Sequence, residues 1–162
     1  MRPNFAKDML AWLIRNPAQK GERIMVDKIV KTDEEWRAEL SSESYEVSRH
    51  HGTERPFTGE YDGCKDDGTY VCIGCGHPLF RSESKYDSGT GWPSFHSPLA
   101  ADSVETHVDR AMLMTRTEVH CARCDGHLGH VFPDGPMPTG QRYCMNSVSL
   151  KLERDDETPT SD

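Results

Sequence analysis

The chain has 162 residues, 35% of them hydrophobic, six cysteines and a net charge of −8. That length suits one ordinary domain, and so modest an apolar content invites a metal or disulfide staple. The acidic balance excludes a protein that grips phosphate backbones or docks on an anionic membrane, so neither nucleic acid nor membrane is expected as a partner.

Residues 1–28 differ from the rest. They carry Arg2, Lys7, Arg15, Lys20 and Arg23, and a weakly amphipathic segment from Phe5 to Ile14 that ends at Asn16-Pro17. A targeting peptide is one reading. A poorly ordered leader is the favoured one, with Met25 as an alternative start. The apolar stretch Met9–Ile14 is too short for a secretory core, and no small-residue cleavage site follows it. No run approaches the ~20 apolar residues of a membrane span. A cytoplasmic location is expected, where thiols stay reduced and clustered cysteines signal metal or catalysis.

Thr32 opens the first predicted helix. Thr32 and Glu35 form a capping box, in which hydroxyl and carboxylate satisfy free backbone donors. Trp36 and Leu40 then share one face, and Trp36 reads as core. A second short helix is expected over Glu43–His50, with Gly52 as its C-terminal stop. After Pro56, Gly, Pro, Asp and Ser recur at short intervals, the grammar of an all-β domain. Strands are expected at Thr69–Ile73, Val104–Val108, Ala111–Cys121, Leu128–Phe132 and Arg142–Leu152. In the last, Val148, Leu150 and Leu152 alternate with Ser147, Ser149 and Lys151. From Glu153 the tail is acidic, contains Pro159 and is expected to be solvated and mobile. The expected division is a leader over 1–28, one domain over 29–153 and an acidic tail over 154–162.

Cys72-Ile73-Gly74-Cys75 and Cys121-Ala122-Arg123-Cys124 are two Cys-x-x-Cys turns, each after a β-like run. Two such turns complete a tetrahedron of thiolates, so Cys72, Cys75, Cys121 and Cys124 are the predicted ligands of one structural zinc. The long gap between them predicts a β-hairpin or two clamped between the turns. Two redox disulfides or buried unpaired thiols are the alternatives. Four sulfurs leave no position for an activated water, so catalysis must lie elsewhere.

Cys64 and Cys144 remain. On an unbulged strand Arg142, Cys144 and Asn146 share a face, which sets a guanidinium and an amide beside the sulfur. The cation favours thiolate, the nucleophilic form; a buried structural cysteine is the bland alternative. His127 and His130 would face opposite sides of a flat strand, but Gly129 permits a bend that brings both to one site. Imidazole suits proton donation to a developing oxyanion. In Ser88–Phe95, glycines free the backbone and Pro93 holds Trp92 extended, an aromatic wall for an apolar group.

KYDSGTGWPSF (Lys85–Phe95), HLGHVFPDGP (His127–Pro136) and TGQRYCMNSVSL (Thr139–Leu150), set around the two cysteine turns, closely resemble B-type methionine sulfoxide reductases. HGTERPFTGEY (His51–Tyr61) resembles that family's entry segment. The likeness spans about residues 30–152. It implies a mainly β fold of antiparallel sheets, a β-tent, with short N-terminal helices. It implies reduction of the R epimer of methionine sulfoxide, free or in oxidised proteins. Cys144 matches the nucleophile, His127, His130 and Asn146 active-site polar residues, Arg142 the residue beside the thiolate, Trp92 the aromatic that shelters the substrate methyl, and the four paired cysteines the zinc ligands. Many members place a second thiol where this chain has Thr90; Cys64 is the expected substitute, resolving a Cys144 sulfenic acid as a disulfide that thioredoxin reduces. A monomer is expected. A zinc-ribbon interaction module without catalysis and a thiol peroxidase are the rival readings.

Overall fold

The computed structural model describes residues 26–110 and 113–157. The amphipathic segment Phe5–Ile14, Met25 and Pro159 lie outside them. Helix α1 spans Asp33–Glu39 and α2 spans Ser42–His50. The capping box is present in full: Glu35 N–H donates to Thr32 Oγ1 at 3.2 Å and Thr32 N–H to the Glu35 carboxylate at 2.9 Å. Trp36 is buried, as its position in the helix demands. At the end of α2 the left-handed residue is His51 (φ 56°) rather than Gly52, whose N–H closes onto Glu46 O at 3.1 Å. Histidine tolerates this region better than most side chains, and the turn aims the His51 ring at the β-sheet.

Nine strands follow among the described residues: β1 Gly68–Cys72, β2 Pro78–Arg81, β3 Lys85–Tyr86, β4 Ser94–Phe95, β5 Val104–Asp109, β6 Arg116–Cys121, β7 His127–Phe132, β8 Arg142–Met145 and β9 Leu150–Arg154. All pairings are antiparallel. They form a three-stranded sheet in the order β2-β1-β9 and a six-stranded sheet in the order β3-β4-β8-β7-β6-β5. Aromatic rings pack at the heart of the core: Phe80 stacks on Phe95 at 4.4 Å, and Tyr70 meets Phe95 edge-on at 5.1 Å. Among the described residues the fold is thus mainly β with two α-helices, as expected.

Three expectations need correction. The strand expected over Arg142–Leu152 is two strands in different sheets, joined by a 3-10 turn at Ser147–Ser149. Ser149 donates its N–H to Asn146 O (3.1 Å) and its hydroxyl to His127 O (3.0 Å), while Ile73 N–H donates to Ser149 O (3.0 Å). Those bonds carry the chain from one sheet to the other. Of the strand expected over Ala111–Cys121, residues 111–112 lie outside the described residues, and the described strand starts at Arg116; Leu113, with φ 62°, is incompatible with strand backbone. The acidic end is also anchored further than expected. Arg81 forks onto the Asp155 carboxylate at 2.9 and 3.0 Å, holding the chain through a 3-10 turn at Asp155–Glu157.

Candidate active site and metal centre

Each Cys-x-x-Cys turn is closed by the same two hydrogen bonds. Gly76 N–H reaches Cys72 O and Cys72 N–H reaches His77 O, both at 2.9 Å; Asp125 N–H reaches Cys121 O and Cys121 N–H reaches Gly126 O, again both at 2.9 Å. The residue after each second cysteine is left-handed, Gly76 at φ 78° and Asp125 at φ 62°. The two turns are therefore equivalent knuckles, and they bring four sulfurs together from residues 45 or more apart in sequence.

The four Sγ atoms lie within 4.8 Å of one another. Cys72–Cys124 and Cys75–Cys121 are each 3.6 Å apart, too far for a disulfide. A tetrahedron with metal–sulfur bonds of about 2.3 Å has edges of about 3.8 Å, so the cluster fits a zinc-sized ion. Its electrostatics suit a cation. The neighbouring sulfurs, Cys121 foremost, hold Cys124 far below the usual thiol range, while Cys72 and Cys121 are pushed far above it by their sulfur neighbours. Four thiolates cannot coexist here without a positive charge between them. The segment before α1 is tied to the same place: Lys28 Nζ donates to Ala122 O at 2.7 Å and Ile29 N–H to Arg123 O at 2.7 Å.

Cys144 lies elsewhere, on β8, in a cleft of about 340 Å³ that Trp92, His130, Phe132, Arg142 and Asn146 also line. Its cross-strand partners are His130 on β7 and Ser94 on β4, and directly opposed residues share a face. The register explains the histidines. β6 and β7 slip at Val119/His120, so two residues of β6 oppose three residues of β7. This β-bulge turns His127 onto the face of His130, with ring centroids 5.4 Å apart. Gly129 is required at the bulge for a second reason: a Cβ there would stand 2.0 Å from Cys144 O.

The two imidazoles are not equivalent. His130 lines the cleft, and its Nε2 meets Asp109 Oδ2 at 3.2 Å. His127 is 2% exposed, does not line the cleft and meets Glu118 Oε1 through Nδ1 at 2.9 Å. Burial lowers both rings below 6.5, so both are neutral at pH 7. Asn146 is buried and doubly committed: Nδ2 donates to Leu128 O and Oδ1 accepts from Glu54 N–H, each at 3.0 Å. It clamps the entry segment onto β7 beside the cleft. Trp92 is fixed similarly, its Nε1 donating to Glu54 O at 3.1 Å.

The expected activation of Cys144 by Arg142 is outweighed. Burial pushes the thiol above its ordinary 9.0, while Arg142 and the Thr90 hydroxyl pull it down. The guanidinium is already committed to Asp134, at 2.8 and 3.1 Å, which diminishes its field at the sulfur. The resting pair is thus a thiol beside a neutral imidazole. Alkylation of Cys144, followed by mass spectrometry, should keep accelerating with pH beyond 9.0. A rate that has levelled off by neutral pH contradicts this picture.

A family model described as the SelR domain matches residues 40–154. The chain is 56% identical over 131 residues to a protein of Hahella chejuensis, covering 81% of this chain and 94% of the relative. It is 58% identical over 127 residues to one of Bradyrhizobium diazoefficiens (78% and 91% covered). It is 59% identical over 127 residues to one of Pseudomonas syringae pv. syringae (78% and 97% covered). The chain belongs to the SelR domain family. All three relatives are named peptide methionine sulfoxide reductase MsrB.

Cys64 stands apart from the other site residues of this SelR domain. It lines a second cleft, of about 620 Å³, with Phe57, Lys85 and Gly89. Gly89 borders that cleft and Thr90 borders the cleft of Cys144, so the tryptophan loop divides the two thiols. Sequence reasoning missed several residues that shape the site. Thr90 was noted only for the thiol it replaces. In the structure it lines the cleft with Cys144, and its hydroxyl meets Ser88 and, through Ser88, Ser94, both of these links at 2.8 Å. Asp134 and Glu54 lay within the quoted family-like strings and were passed over. Arg116 and Asp109 had no local signal; only strand pairing brings Arg116 to the cleft and Asp109 to the His130 ring.

Proposed function

We propose that this SelR-family protein is an oxidoreductase that reduces methionine sulfoxide of the R configuration, in oxidised proteins or free, with Cys144 as nucleophile. The observation that carries this reading is the Cys144 sulfur in a cleft walled by Trp92 and facing His130. The indole receives the methyl group, and the sulfoxide sulfur meets Cys144. The thiol proton passes by way of His130 to the sulfoxide oxygen as the new sulfur–sulfur interaction forms. Collapse transfers the hydroxyl to Cys144, which becomes a sulfenic acid, and the thioether leaves. Atoms balance, because one thiol proton and one oxygen end on Cys144 as S–OH. His127 acts from behind His130 and holds its orientation; Arg142 and Thr90 stabilise the thiolate as it develops.

The tetrathiolate cluster holds one zinc as a closed structural site, which adds folding energy and takes no part in the redox step. The reductase domain runs from residue 29 to about 157, because β9 reaches Arg154 and Arg81 holds Asp155, with a leader over 1–28 before it. A monomer is the proposed state. No helix among the described residues is long and apolar enough to cross a membrane, and a thiolate-bound metal suits a reducing compartment such as the cytoplasm. The test is reduction of separated R and S methyl sulfoxide epimers with thioredoxin as electron donor. Turnover of the R epimer alone supports the proposal; turnover of neither epimer, or of hydrogen peroxide instead, ends it.

Cys64 is the proposed resolving thiol. It attacks the sulfenic acid, water leaves, and thioredoxin reduces the resulting disulfide. Because the tryptophan loop separates the two cysteines, this step requires that loop or the Tyr61–Gly68 loop to move. Cys64→Ser should keep single-turnover reduction intact and slow thioredoxin-driven cycling by at least about tenfold. Unchanged cycling removes Cys64 from the mechanism.

A further inference from the structure

The polar face of the six-stranded sheet carries more titratable groups than the cleft employs. On the β5–β6 ladder Glu105 opposes His120 and His107 opposes Glu118. Opposed residues share a face, as do alternate residues along a strand, so these four side chains form a square on one side of the ladder. The ligand atoms of His107, Glu118 and His120 lie within 4.8 Å of one another. That spread is closed by an ion with bonds of about 2.0–2.2 Å after small side-chain rotations.

We infer that His107, Glu118 and His120 form a second metal site, distinct from the cysteine cluster, for a transition-metal dication such as nickel or zinc. Two imidazoles and one carboxylate favour these ions over magnesium or calcium, which require oxygen donors. The Glu118 side chain is only 5% exposed, so its charge is desolvated and needs compensation; His107, 53% exposed, opens the site to solvent. Glu118 divides its oxygens. Oε1 takes His51 at 3.2 Å and His127 at 2.9 Å, whereas Oε2 faces His107 Nε2 at 2.9 Å. The ion therefore sits on Oε2. An overlapping set, Glu105, His120 and Asp125, also comes within ligand range. It is the poorer choice, because Lys28 Nζ stands 3.0 Å from Glu105 and 2.8 Å from Asp125 and already supplies a cation there. Cys121 follows His120 in sequence but points to the opposite face, into the knuckle. Three protein donors leave open positions for water, so binding is exchangeable, unlike that of the closed thiolate site.

The test is calorimetric titration of Ni²⁺ into the untagged full chain, loaded with its cysteine-bound metal and alkylated at Cys64 and Cys144. One further equivalent should bind, and His107→Ala and His120→Ala should each weaken it at least about tenfold. His107 is exposed and outside the cleft, so its variant should melt like the parent. The inference is overturned by absence of a further equivalent or by equal affinity in both variants. Loss confined to His51→Ala, or a thiolate-to-nickel charge-transfer band, overturns it equally.

Discussion

Cys144→Ser should abolish sulfoxide reduction even in a single turnover, with a loss of at least about 10³-fold in rate. The sulfur has no substitute in the cleft. A serine hydroxyl at this position is a far weaker nucleophile toward sulfur, and the same burial that raises the Cys144 thiol would oppose alkoxide formation more strongly still. The fold should tolerate the exchange, because β8 is held by backbone pairing to β4 and β7. Rapid-quench measurement of thioether formed per enzyme, without added reductant, checks it. Near-stoichiometric thioether from the serine variant would move the nucleophile elsewhere, with Cys64 the first candidate.

Cys121→Ser should have the largest effect on stability. Its sulfur is fully buried and stands 3.6 Å from Cys75. Losing one of four thiolates forfeits much of a metal-binding free energy on the order of 10 kcal/mol. A domain's whole stability is about 5–15 kcal/mol. The consequence also spreads, since each knuckle begins where a strand ends: Cys72 closes β1 and Cys121 closes β6. Tm should fall by about 15 °C or more, with bound metal dropping from one equivalent to near zero. If that variant cannot be purified, stepwise chelation of the parent protein followed by circular dichroism asks the same question. A cooperative melt within a few degrees of the parent, with no metal bound, would show that the cluster is no staple.

Much of the site was legible in the sequence because its signals are local. A Cys-x-x-Cys turn is written in four residues, and backbone hydrogen bonds within each knuckle complete it. The capping box of α1 is likewise contained between Thr32 and Glu35. Gly129 announced a bend because a residue lacking Cβ permits one, and the β-bulge sits there. Other expectations failed where the deciding neighbour was distant. Alternation ran on through Ser147–Ser149, so the sequence pattern continued a strand that hydrogen bonds to His127 and Ile73 actually break. The left-handed turn after α2 fell on His51 instead of Gly52, and that single step gives Glu118 another imidazole.

By itself the sequence determined the mainly β class, the two cysteine knuckles, the family-like strings and the identity of the candidate nucleophile. Each is a matter of residue type and spacing along one segment. Only the tertiary structure decided that His130 rather than His127 shares the cleft with Cys144, that Asp134 engages Arg142 while burial keeps the thiol protonated, and that the tryptophan loop stands between Cys64 and Cys144. Ionisation and access are sums over every neighbour in space, and most of those neighbours come from other strands.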